Sequence, residues 1–255
     1  MTGEPAPRAG FRTRAGFRTR AVALLGAGLI AVAALVFVTD RRAAAPPVAN
    51  AIAAKPTLML LSSLPLVFAE TFGLDGGGSP ALVALAMRYR VEPIGITDAR
   101  TLGHRRLLLM AHPRAQPAEA LVDLDRWVRG GGRLLLLADP MLEWPSIRPL
   151  GDPLRPPPAF ADTGLLQHWG LRLDAPDKRG LQPRQLGGQD MLTNSPGLLF
   201  GRCAISDDRL VAHCHIGKGK ATIVADADFL DVDHLDDPAG TNLKALLAEL
   251  AALER

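Results

Sequence analysis

Polar residues stand at the ends of the short apolar runs of this sequence. Ser62 and Ser63 follow Leu58–Leu61, Asp98 follows Val91–Ile96, and His112 follows the run 106–111. Asp139 follows the run 133–138, and Asp226 and Asp228 follow the run that starts at Lys220. If the runs are parallel strands, their carboxyl ends share one edge, and parallel sheets bind ligands beyond that edge. Hydroxyls, an imidazole and carboxylates gathered there would suit a cleft for a small polar ligand or a divalent cation. The same residues also suit any solvated strand end, because chains leave a sheet through polar loops. Alanine at His112 and Asp139 separates the two readings.

Covalent catalysis needs a nucleophile on a tight turn after a strand, with a base beside it. The turns on offer are Ala111-His112-Pro113 and Asp139-Pro140, and neither holds Ser or Cys. Gly-x-Ser-x-Gly does not occur in the sequence, so a hydrolase would have to use Ser62 or Ser63. No catalytic residue is therefore assigned. Residues 226–237 hold six Asp and one His but lack the glycine and terminal Glu of a calcium loop. They read either as a cation-binding loop or as a solvated acidic one. His213-Cys214-His215 alternates across a strand, with both imidazoles on one face and the thiol on the other, which disfavours a three-ligand metal site. Cys203 and Cys214 fall on neighbouring strands, as a disulfide or as two buried thiols. Gly217-Lys218-Gly219-Lys220 lacks the spacing of a phosphate loop. No cofactor and no resident metal are expected.

The elements that must position these residues alternate. Ser79 and Pro80 open a helix running to about Tyr89, and Pro117 opens another that ends near Arg129 at three glycines. The runs 106–111 and 133–138 do not alternate apolar with polar, as strands covered on both faces do not. The prediction is an α/β domain: a mostly parallel sheet between helices, flavodoxin-like, ending in an antiparallel hairpin turned at Gly217–Gly219. Residues 139–160 are proline-rich and read as a long, rigid surface loop. A short helix is expected at about 162–169, irregular structure over 174–197, and a leucine-striped helix over about 239–253.

The chain has 255 residues and a formal net charge of +3, but seven Arg against Glu4 and Asp40 give residues 1–42 a net of +5. The remainder is close to neutral, which argues against nucleic-acid binding. Residues 21–38 carry no charge, and eighteen helical residues span about 27 Å, near a bilayer's hydrocarbon thickness. The segment reads as an uncleaved transmembrane helix, with a cleaved signal peptide as the alternative. The organisation expected is a basic cytoplasmic tail (1–20), a transmembrane helix (21–38), an Ala/Pro-rich linker (39–56) and a periplasmic domain (57–255). Arginine on the N-terminal side points to a single-pass protein of a bacterial inner membrane with its N-terminus in the cytoplasm.

Four pieces in order carry a resemblance: His112-Pro113 before a helix; Gly131-Gly132-Arg133 through Asp139-Pro140; Leu165-Leu166 with Trp169-Gly170; and Gly217 through Leu230, followed by Asn242-Leu243. Together they resemble the auxiliary domain of ABC-type transport systems, related to gliding-motility auxiliary proteins. The resemblance implies a class I glutamine amidotransferase-like fold without that chemistry. It also implies a membrane-anchored, non-catalytic accessory role beside an ABC permease and ATPase. A degenerate amidotransferase-like hydrolase and a periplasmic ligand sensor are the alternatives.

Overall fold

Runs of leucine that no water-facing position interrupts become the centre of a sheet. The computed structural model describes residues 55–68, 70, 78–235, 237 and 240–255. The tail, the apolar run 21–38 and the linker up to Ala54 lie outside the described residues. In chain order the strands are β1 (Thr57–Ser62), β2 (Arg90–Pro93), β3 (Leu107–Ala111), β4 (Arg133–Leu137), β5 (Leu171–Asp174), β6 (Leu181–Leu186), β7 (Gln189–Asn194), β8 (Leu198–Gly201), β9 (Ala204–Ile205), β10 (Val211–Ile216) and β11 (Gly219–Val224). The helices are α1 (Pro80–Arg88), α2 (Ala99–Leu102), α3 (Ala118–Arg129), α4 (Leu165–His168) and α5 (Thr241–Glu254).

The architecture is mixed α/β. A seven-stranded sheet runs β2-β1-β3-β4-β11-β10-β9. Its first five strands are parallel, and β10 and β9 are antiparallel to their neighbours. Every residue of β3 is buried, as are Leu134–Leu137 of β4. Such burial needs cover on both faces, and it explains why these strands show no alternation. Each leucine removed from water there contributes roughly 1.5–3 kcal/mol.

Local signals account for the helix boundaries. The Ser79 hydroxyl accepts from the Leu82 N–H, and Pro80 occupies the first turn of α1. Ala120, Leu124 and Val128 form the buried stripe of α3, and the Gly130 N–H closes its end on the Arg126 carbonyl. Two expectations are corrected. Residues 174–197 are not irregular: they contain the β6–β7 hairpin, paired from Leu181↔Asn194 to Leu186↔Gln189. The strand expected over 91–96 is shorter and shifted, Arg90–Pro93.

Candidate functional site at the strand ends

The carboxyl ends of β1, β3, β4 and β11 do meet along one edge, but their polar side chains divide into groups with different tasks. Ser62 serves its own turn, its hydroxyl accepting from the Leu64 N–H at 2.9 Å. The Ser63 hydroxyl donates to the His112 carbonyl and ties β1 to the turn after β3. Asp98 stands apart as the N-cap of α2. It accepts from the Thr101 N–H at 2.7 Å, and the Thr101 hydrogen bonds hold its carboxyl below the usual range.

His112 occupies the strand-to-helix turn in a left-handed conformation, φ 45°. That is the place where a hydrolase would present its nucleophile. Here the imidazole is fully buried, and Nε2 lies 2.8 Å from the Pro157 carbonyl. A carbonyl can only accept, so Nε2 carries the proton. Burial pushes the His112 pKa down to about 4, so the ring is neutral at physiological pH, and Nδ1 is buried without a partner. The residue anchors the proline-rich segment. We expect His112→Ala, which keeps the backbone strain and loses the anchor, to destabilise by about 1–3 kcal/mol. Faster proteolytic cleavage within 141–160 would report it; an unchanged cleavage rate would show that the anchor is dispensable.

Asp139, Asp226 and Asp228 come together. Asp139 accepts from the N–H groups of Met141 (2.8 Å) and Ala227 (2.9 Å). Asp226 accepts from Asn194 (3.1 Å) and Phe229 (2.9 Å), and Asp228 from Glu143 (2.9 Å). Three carboxylates thus latch the loops that follow β4, β7 and β11. Burial raises all three: Asp139 to about 6, Asp228 to about 8, and Asp226 well above its ordinary value, with repulsion from Asp139 and Asp228 adding to the effect on Asp226. Among the described residues no three His, Cys, Asp or Glu side chains are placed to hold a metal ion. The rest of the acidic stretch is not uniformly solvated either: Asp231 is buried and pairs with His234 at 2.7 Å.

Residues that no sequence pattern singles out complete the edge. Glu70 accepts from the Ser146 hydroxyl (2.6 Å) and the Ile147 N–H (3.0 Å), pinning the tip of the proline-rich loop. Its neck is closed by Phe160 N–H to Asp139 carbonyl (2.6 Å) and Leu142 N–H to Pro158 carbonyl (2.9 Å). Beneath it lies a cleft of about 310 Å³ where Ser62, Ser63, Glu70 and Arg148 are the polar lining. Phe68 (83 % exposed) and Leu154 (65 %) stand at this cleft, and Ile147 (76 %) and Leu150 (81 %) lie on the same loop as Leu154. Nothing in the sequence marked Glu70, because its partners lie some seventy-six residues away along the chain. Away from this edge, Cys203 and Cys214 form a disulfide that ties the β8–β9 connection to β10.

No family model matches the chain, and no curated protein matches it. Among solved structures, an exo-β-1,4-mannosidase from Opitutaceae bacterium strain TAV5 overlays with a TM-score of 0.48 at 13 % identity. The overlay covers 78 % of this chain and 36 % of that one, so the chain spans about a third of that glycosidase. A cytoplasmic protein from Salmonella typhimurium overlays with a TM-score of 0.47 at 10 % identity, covering 77 % of this chain and 98 % of that one. A ThuA-like protein from Parabacteroides merdae overlays with a TM-score of 0.31 at 12 % identity, covering 67 % and 79 %.

The absence of any matching family model corrects the expected membership of the ABC-transport auxiliary family. The reason is local. Gly131-Gly132-Arg133 follows a helix stop and opens a strand, and His112-Pro113 leaves another, which is punctuation that many α/β chains share. The expected inner-membrane placement with a periplasmic domain is corrected with it. Among the described residues no helix is long and apolar enough to cross a membrane; the run 21–38 that carried the expectation lies outside them.

Proposed function

We propose that this chain is a non-catalytic binding domain whose strand-end edge takes an apolar segment of a partner protein. The scaffold is read as a flavodoxin-like doubly wound sheet, of the kind class I glutamine amidotransferases use, on the strength of its β2-β1-β3-β4-β11 order. One observation carries the functional reading. Half of the large apolar side chains that the described surface leaves exposed, namely Phe68, Ile147, Leu150 and Leu154, belong to two loops joined through Glu70. Such side chains, gathered on braced loops beside a cleft, have the make-up of an interaction surface. The polar groups of the edge do not compete with this role, because His112, Asp139, Asp226 and Asp228 are engaged with backbone. A second reading, small-ligand binding, draws on the cleft of about 310 Å³ with Ser62, Ser63, Glu70 and Arg148 in its lining.

A photo-crosslinking residue at Leu150, followed by mass spectrometry, tests the first reading. The expected result is one saturable protein adduct that Phe68→Ser with Ile147→Ser reduces at least tenfold, at unchanged thermal stability. Labelling of Ser62 or Ser63 by a serine-hydrolase probe, with no protein adduct, would overturn it in favour of a hydrolase.

A further inference from the structure

The antiparallel flank of the sheet holds a group of side chains that the strand-end edge does not use. Glu249 lies on the buried stripe of α5 with Leu246, Leu250 and Leu253, and is itself 2 % exposed. A carboxylate there is costly unless it is paired, whereas another leucine would complete the stripe. Its Oε1 lies 3.0 Å from His213 Nε2 and accepts from the Thr222 hydroxyl at 2.9 Å. His213 is on β10 with its side chain half exposed, so a buried carboxylate reaches out to orient a ring at the surface.

His215 follows two residues later. Burial alternates along β10, with His213 and His215 outward and Cys214 inward. Two residues of strand span about 6.8 Å, within reach of two imidazoles closing on one ion at about 2.0–2.1 Å from each nitrogen. Both rings line a single depression of about 160 Å³, bounded also by Lys220, Thr222 and Glu249. Cys214 is committed to Cys203, so no thiolate competes.

We infer that His213 and His215 form a two-imidazole site for a divalent transition-metal ion such as Zn²⁺, with the Glu249 carboxylate fixing the His213 ring from behind. With Nε2–H donating to Glu249, His213 presents Nδ1 as the ligand atom. A carboxylate behind a ligating histidine fixes its tautomer and raises its basicity. Two protein ligands leave the remaining positions to water or to an incoming side chain, so the site is open. Lys220 pairs with His215 across the hairpin and must turn its ammonium away.

The test is calorimetric titration of the tag-free full chain with ZnCl₂. One equivalent should bind with micromolar affinity. His215→Ala, at an exposed position, should weaken binding at least tenfold without altering the circular dichroism spectrum. Glu249→Gln should weaken it about 10–100-fold. His234→Ala, in the acidic loop, should leave it unchanged. Absence of heat, equal binding by His215→Ala and the parent, or loss only in His234→Ala would each overturn the inference.

Discussion

Raising the pH from about 6 to about 9 lowers the melting temperature of this domain, and Asp228→Asn removes part of that loss. The sign follows from three buried carboxyls whose pKa values are raised. A raised pKa means that the folded state holds the proton more tightly than the unfolded chain does. The linked stability is therefore full below the ordinary value of 3.8, and drains as the pH rises through about 6 for Asp139 and about 8 for Asp228. Each pKa unit corresponds to about 1.4 kcal/mol. With the repulsion shared among three groups, the loss attributable to Asp228 is on the order of 3 kcal/mol, or roughly 6–12 °C for a domain of this size. Asparagine keeps an oxygen to accept the Glu143 N–H and carries no charge. Asp226→Asn differs, because both of its oxygens accept N–H groups. An amide would turn its NH₂ against the Asn194 or Phe229 N–H and destabilise by about 1–3 kcal/mol at every pH. At the acid end Glu249 and Asp237 work the other way, since their pKa values are lowered and their contribution is lost as the pH falls through them. Maximum stability should thus lie on the mildly acidic side. Melting curves of the parent and Asp228→Asn that stay parallel between pH 6 and 9 would refute the account.

The sheet was legible because its signals are local and redundant. A run such as Arg133–Leu137 has no polar face to place in water, and three glycines precede it, so only a doubly covered strand fits. The β6–β7 hairpin was not legible in the same way. Its first strand is polar and contains Pro183, and half of its residues face solvent. The readable mark was Gly187-Gly188, both at positive φ, which is the two-residue turn that a tight hairpin prefers. The candidate edge divides likewise. Order along the chain brought His112, Asp139 and Asp226 to one edge, because parallel strands end together. It did not reveal that their side chains face inward, since that depends on the backbone N–H groups of distant loops. Asp98 shows the limit from the other side. A carboxylate after a strand is also a carboxylate before a helix, and the helix claims it. Glu249 did carry a signal, an acid on a leucine stripe, but its partner His213 lies thirty-six residues away on another element.

Gly219→Ala should prevent folding or lower stability by more than about 4 kcal/mol, a size that single substitutions reach only through a few mechanisms. Gly219 opens β11, where the strand slides beneath the end of α3. A Cβ at this position would fall inside the van der Waals radii of the Val128 and Gly132 carbonyl oxygens. Neither oxygen is free to retreat. The Val128 carbonyl accepts from the Gly131 N–H at 2.9 Å, and the Gly132 carbonyl from the Lys220 N–H at 3.2 Å. Relief would mean moving β11 away from β4, its parallel partner from Lys220↔Arg133 to Val224↔Leu137. That shift would carry Asp226 and Asp228 off their loops, so the fold and the candidate edge depend on the same missing methyl group. Gly95→Ala is the matched control: no atom lies within 4 Å of its Cβ position, and its φ is not in the left-handed region. Its effect should stay within about 0.5 kcal/mol or turn slightly stabilising, through loss of unfolded-state freedom. Soluble expression and thermal melts of the two variants decide the matter. If Gly219→Ala melts within a few degrees of Gly95→Ala, then the close approach of α3 does not set the position of β11, and the carboxylate latch must be held by its own hydrogen bonds alone.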